Sequence, residues 1–284
     1  MTRQGYTVLG ICILLICTAA GCLGQQESVS VVPDNGTDCD MLRLLDEMQG
    51  GIEAALAGLD ARVAGTAENL TATGLAGDEA RALLAENLAA DPLIATAITI
   101  DRNGTVAAAV PESLAAELVG ENLSHQEVVR ETFERQAPVM TDRAPLAEGG
   151  YAVILQHPVF AADGSLIGAT SITFDPYLLL KAEIEPVLNG TPYTAMVAET
   201  DGTILYDADP AEITKETFNE SLYAEFPEVI AFAREYAQNQ SGNATYSFYD
   251  TGFNRVVQKE AFWTTVGLHG TEWRLIIIRE MGEA

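Results

Sequence analysis

Five residues carry the groups with which this sequence could do chemistry, and the chemistry they suit is binding. Tyr151, Gln156, His157 and Thr173 alternate with aliphatic residues in two apolar stretches, and Arg143 stands in the segment just before them. A few placed polar groups in a mostly apolar wall are what recognition of a small molecule requires. An arginine there can take a carboxylate with two parallel hydrogen bonds. The competing reading makes Arg143 a solvent-facing loop cation paired with one of many acids, and His157 a hydrogen-bonded strand residue. No nucleophile beside a base and no pair of catalytically spaced carboxylates stands out, so no enzyme activity and no catalytic residue are expected. There is no Gly-rich phosphate loop, no Cys-X-X-Cys and no His-Glu-X-X-His. The three histidines, His125, His157 and His269, are spread along the chain, so a metal centre would need carboxylates for most of its ligands. Neither a metal nor a cofactor is expected.

Charge narrows the partners. The net charge of −26 repels phosphate backbones and anionic lipid surfaces, which excludes nucleic acid and favours solubility in salty media. Eight of the ten asparagines open an Asn-X-Ser/Thr triplet without proline at X: Asn35, Asn69, Asn103, Asn122, Asn189, Asn219, Asn239 and Asn243. Chance would supply about one or two, so a glycosylated surface outside the cytoplasm is expected. The N-terminus agrees. Arg3, an apolar stretch from Val8 to Cys17 and the small residues Thr18 to Gly21 describe an export leader over residues 1–21, because the apolar core is too short to span a bilayer comfortably.

Cleavage before Cys22 would leave it at the new N-terminus, where bacterial and archaeal lipoproteins carry their lipid, and Ala20-Gly21-Cys22 resembles that signal. Ala19 stands where leucine is usual, which leaves an uncleaved anchor or ordinary cleavage as alternatives. Residues 22–37 then read as a lipidated linker that holds the protein to the outer face of the cell membrane, with Cys39 an unremarkable thiol at its base.

The elements that must position the five residues begin with a long helix. Met41, Leu45, Met48, Ile52, Leu56, Leu59, Val63, Ala67 and Leu70 recur at spacings of three and four, one stripe of a helix from Cys39 to about Thr73 with Asp38 as its N-cap. About 35 residues make a rod of roughly 50 Å. That suits a scaffold along two stacked modules, and it allows a homodimer through this helix. A second helix, Asp78 to Ala90, completes a helical region over 38–91.

The chain then repeats itself. Thr96 to Val106, with Asn103-Gly104 in the turn, and Thr194 to Ile204, with Asp201-Gly202, each read as a hairpin. Each is followed by a helix, Gln126 to Gln136 or Glu228 to Gln238, and then by strands. Those strands are Tyr151 to Phe160 and Leu166 to Phe174 in the first copy, and Tyr246 to Tyr249, Val256 to Leu268 and Trp273 to Ile278 in the second. A short helix, Pro176 to Leu188, lies between the copies. The predicted class is α+β, a long N-terminal helix followed by two antiparallel-sheet modules at 92–188 and 189–284. Strand order is not legible in this pattern.

On the Asp101-Arg102-Asn103-Gly104 hairpin, the Gln156-His157-Pro158-Val159-Phe160 strand, the Asp163-Gly164 turn and Leu166-Ile167-Gly168-Ala169-Thr170, the chain resembles the double Cache sensor domains over about residues 38 to 280. The resemblance implies PAS-like sheets behind a long helix. It implies a small ligand in the first, membrane-distal module, under a covering segment at 120–150, with the second module membrane-proximal. Members that bind amino acids carry Arg-X-Trp-Tyr there and an acid near the end of the last strand. This chain has Arg135-Gln136-Ala137-Pro138, and Thr173 where the acid would be. Family members sit between membrane spans and feed a cytoplasmic output; no second apolar span follows Ile278, so a membrane signalling or transport partner is expected. In the second copy Tyr206, Asp207, Lys259, Trp263 and Thr265 could form an analogous pocket, with Lys259 and Trp263 read otherwise as a surface cation and sheet packing. The functional expectation is a small-molecule sensing lipoprotein whose ligand is an organic acid. Its rival is a structural or adhesive surface glycoprotein that keeps the fold without a ligand.

Overall fold

Every residue of the apolar stripe turns inward. In the computed structural model, which describes residues 35–147, 149–252 and 254–283, helix α1 runs Asn35–Thr73. Met41, Leu45, Met48, Ile52, Leu56, Leu59, Val63, Ala67 and Leu70 are all buried along it. Alternating three-and-four spacing keeps one line of a 3.6-residue helix on one side. Asp38 is not the N-cap. The helix begins at Asn35, so Asp38 lies in its first turn, where a negative charge meets the positive end of the helix dipole and its Oδ1 accepts from Arg279 at 3.3 Å. The leader, Cys22 and the linker lie outside the described residues, and among the described residues no helix is long and apolar enough to cross a membrane.

Helix α2 (Gly77–Ala90) leads into the first sheet: β1 (Ile94–Asp101), β2 (Val106–Val110), β3 (Val139–Met140), β4 (Ala144–Pro145), β5 (Tyr151–Phe160) and β6 (Leu166–Phe174), with α3 (Glu112–Leu118) and α4 (Glu127–Arg135) after β2. Helix α5 (Pro176–Leu188), capped by Asp175 accepting from the Tyr177 N–H, joins it to the second sheet. That sheet holds β7 (Thr194–Glu199), β8 (Ile204–Asp207), β9 (Gly242–Tyr249), β10 (Val256–Leu268) and β11 (Thr271–Glu283), with α6 (Pro227–Gln238) before β9.

The orders are β2-β1-β6-β5-β3, with β4 also on β5, and β8-β7-β11-β10-β9. Apart from the short β4, each copy places its strands in the order second, first, fifth, fourth, third. The sequence repeat is thus a repeat of topology. All these pairs are antiparallel.

One face of each sheet packs on α1. Val153, Leu155, Ile172 and Phe174 of the first sheet and Val197, Trp273, Leu275 and Ile277 of the second join the α1 stripe in a single core. The opposite faces have their own cores, under α3 and α4 for the first sheet and under α6 for the second. Because strand side chains alternate, this two-faced burial decides where each polar strand residue goes. In β5, Ile154 faces the α4 side and Val153 and Leu155 the α1 side. Gln156 therefore belongs to the first face and His157 to the second.

The triplet asparagines follow the surface. Asn69, Asn103, Asn122, Asn189, Asn219, Asn239 and Asn243 are all exposed, whereas Asn87, outside any triplet, is buried and donates to Thr66 Oγ1 at 3.0 Å.

Candidate ligand-binding site

On the α4 face of the first sheet four polar residues meet among apolar ones. Thr96 of β1, Gln156 of β5, and Ser171 and Thr173 of β6 are buried around a chamber of about 30 Å³. The Thr96 and Thr173 hydroxyls share a hydrogen bond at 2.7 Å, and Gln156 Nε2 donates to the Val128 carbonyl of α4 at 3.4 Å. That volume holds a water or two.

Leu146 and Ala147 form part of its wall, and they also border a much larger groove of about 990 Å³. The groove lies between the start of α4, the segment around β3 and β4, and the β10–β11 turn of the second sheet. Both signs of charge line it: Arg135 and Arg143 on one account, Glu127, Glu131 and Asp142 on the other.

The covering segment rests on the second sheet. The Arg143 backbone N–H donates to Glu199 Oε1 of β7 at 2.5 Å, and Thr271 Oγ1 donates to the Met140 carbonyl at 2.5 Å. Burial, helped by the charges of Asp142 and Asp201 and opposed by the Arg143 N–H, pushes Glu199 up to about 7.

The five residues singled out in the sequence do not form one pocket. Gln156 and Thr173 line the chamber, and Arg143 lines the groove, its guanidinium 4.7 Å from the centre of the Tyr151 ring. Tyr151 is 58% exposed and supports Arg143 from outside. His157, one residue on from Gln156, points through to α1, where its Nε2 lies 2.6 Å from Asp60 Oδ1. Thr96 and Ser171 were missed, although their alternation with apolar neighbours is the signal that singled out Thr173.

The second sheet has a smaller counterpart, a cavity of about 70 Å³ under α6. Asp207 and Lys259 line it; burial pushes Asp207 up to about 7 and lowers Lys259. Lys259 is therefore a buried cation and not a surface one. Tyr206 stacks on Tyr177 on the α1 side, Trp263 donates to the Asn239 carbonyl at 3.0 Å, and Thr265 bonds the Gln240 carbonyl, so these three serve packing and strand ends.

Packing also joins two histidines that sequence spacing keeps apart. His269, in the β10–β11 turn, places its Nε2 2.6 Å from the same Asp60 Oδ1 that His157 approaches. Burial works to raise the Asp60 carboxyl, but the hydrogen bonds and charges of His269 and His157 together hold it below the usual range.

The arrangement has relatives. Residues 54–176 match the family described as HK/GC/chemotaxis protein-like, sensor domain. No curated protein matches the sequence. An extracellular ligand binding receptor from Desulfohalobium retbaense is 29% identical over 84% of this chain, with a TM-score of 0.69; this chain spans 40% of that receptor. The ligand-binding domain of the Pseudomonas aeruginosa chemoreceptor PctB, solved with L-Gln, covers 85% of this chain and 90% of its own, at 14% identity and a TM-score of 0.60. The extracellular domain of the putative histidine kinase rpHK1S-Z16 covers 88% and 96%, at 12% identity and a TM-score of 0.65. The last two likenesses are of fold. With a sensor-domain match over residues 54–176, a long helix and two sheets of the same strand order, the chain has the fold of the double Cache ligand-binding domains.

Proposed function

We propose that this protein is an extracytoplasmic sensor that captures a small carboxylate-bearing metabolite, an organic acid or an amino acid, in the first-sheet groove. We place it on the outer face of the cell membrane, held by a lipid on Cys22, and acting through a membrane partner. The observation that carries the reading is the juxtaposition of Arg143 with a polar chamber floor. Thr96, Gln156, Ser171 and Thr173 offer hydroxyl and amide groups behind Leu146 and Ala147, while Arg143 borders the groove in front of them. Arg143 is set for a bidentate carboxylate contact, and Asp142 and Glu127 give an amino group somewhere to go. The groove is large enough for such a ligand; the chamber alone is not.

PctB, a relative by fold, binds L-Gln. Without the Arg-X-Trp-Tyr pattern, the amino-acid contacts here would have to come from other residues. The exposure of seven triplet asparagines fits glycosylation and an outside location. The chamber's small size favours one second reading, a surface glycoprotein whose sensor pocket is filled by its own side chains.

The test is a thermal-shift screen of residues 35–284 against organic acids and amino acids, with Arg143→Ala alongside. A ligand should raise Tm through mass action, and Arg143→Ala should weaken it about 10- to 100-fold, the worth of a charged hydrogen bond. Silence across the panel on a folded sample would transfer the conclusion to the structural reading.

A further inference from the structure

The cluster of Asp60, His157 and His269 takes no part in the carboxylate contact proposed for the groove, and it brings three elements together at one charged point. Asp60 sits on α1, His157 on β5 of the first sheet, and His269 in the turn between β10 and β11 of the second. Both imidazoles approach one carboxylate oxygen, each at 2.6 Å, and the three ligand atoms lie within 4.8 Å of one another. The rings stand nearly perpendicular, at 80°, with centroids 5.8 Å apart, so their nitrogens converge without the rings stacking.

We propose that these residues bind a first-row divalent cation of the zinc type, which staples α1 to both sheets. Two neutral imidazoles and one carboxylate are a donor set such ions take readily, and three protein ligands leave a position for water. Zinc–ligand bonds of about 2.0 to 2.2 Å put tetrahedral donors about 3.3 Å apart. Opening the present contacts by well under an ångström on each side, through small side-chain rotations, makes room for the ion. Charge argues the same way. The ion pairs of Asp60 among the described residues are with these two histidines alone, so a cation would meet its carboxylate without displacing any other charged partner.

The site is also reachable. The side chains of Asp60 and His269 are 24% and 20% exposed, and His269 borders the groove, while His157, at 11%, is the inner anchor. His269 adopts a left-handed φ of 54°, an uncommon backbone for a non-glycine residue, which places its ring against α1. This inference does not depend on the groove binding a metabolite.

The test uses purified protein stripped with EDTA and titrated with CoCl2 and with ZnCl2. One equivalent of Co²⁺ should bind and give visible d–d absorption of a low-symmetry site, Zn²⁺ should displace it, and Zn²⁺ should raise Tm where MgCl2 does not. His269→Ala and Asp60→Asn should each weaken the affinity at least about 100-fold, since loss even of a ligand's outer partner costs 10- to 100-fold. His125→Ala, which changes the remaining histidine, should leave it unaltered. The wild-type spectrum stands whether or not a variant folds. Absence of stoichiometric Co²⁺ binding by wild-type protein would overturn the proposal, as would affinity retained in both His269→Ala and Asp60→Asn, or lost equally in His125→Ala.

Discussion

Glu199 holds its proton in the folded protein up to about pH 7, because burial disfavours its charge and Asp142 and Asp201 repel it. The unfolded chain releases that proton near the ordinary value of 4.5. Between those pH values the folded state binds more protons, so stability is greatest at the acid end and is lost as pH rises through 7. Glu199→Gln keeps a carbonyl acceptor for the Arg143 N–H and removes the titration. It should raise stability at pH 8 by on the order of 1–2 kcal/mol, discounted for partial solvation, and change little near pH 4, as followed by calorimetric melts. Asp207, also pushed up to about 7, keeps part of the slope in that variant. Gly168 matters for a different reason. A Cβ there would lie 2.1 Å from the Ile100 carbonyl oxygen and 2.5 Å from Leu75 Cδ1, and the first of these is backbone that cannot swing aside. Gly168→Ala should cost about 2–4 kcal/mol in urea unfolding; a value under about 0.5 would contradict the close β1–β6 approach. Asp60 and His269 gave no such local signal, because what they do depends on residues 209 positions away from one another.

At the scale of elements, periodicity carried most of the reading. The α1 stripe, the bounds of β5, β6, α5 and β10, and both hairpins are as the residue pattern predicts. The exceptions have physical causes. Strand β9 begins at Gly242, well before the predicted Tyr246; its Gly-Asn-Ala start has little strand propensity of its own, so the residue pattern does not show it. It is drawn in by pairing with Ala261 to Trp263, and Gly242 lets the Trp263 ring lie where a Cβ would be 2.3 Å from it. Strand β11 likewise outruns its apolar centre because β10 offers hydrogen-bond partners along its whole length. Helix α3 went unseen: seven residues are too few to show a period. Leu56, fully buried in the α1 stripe, tests the helix's role as the shared wall. Leu56→Ala should cost about 2–5 kcal/mol by chemical denaturation, the range for an unrelaxed core cavity.

For the whole molecule, one core runs from the first sheet through α1 to the second, and it implies one unfolding unit. Trp263 and Trp273, the two tryptophans, both lie in the second sheet, whereas far-UV circular dichroism reports the whole chain. Melting curves from tryptophan fluorescence and from dichroism should therefore coincide; a separate dichroism step would mean that the sheets unfold independently. The same continuity lets the Arg143–Glu199 contact connect the groove to the second sheet. By itself the sequence determined the α+β class, the doubled module, the long helix and the strands that carry the polar residues. It could do so because burial writes a period of 2 or 3.6 into neighbouring positions. Only the tertiary structure decided the strand order, the face that Gln156 and His157 each take, the size of the chamber, and the meeting of Asp60 with His157 and His269. Those depend on contacts between segments distant in the chain, and such contacts leave no period in the sequence to read.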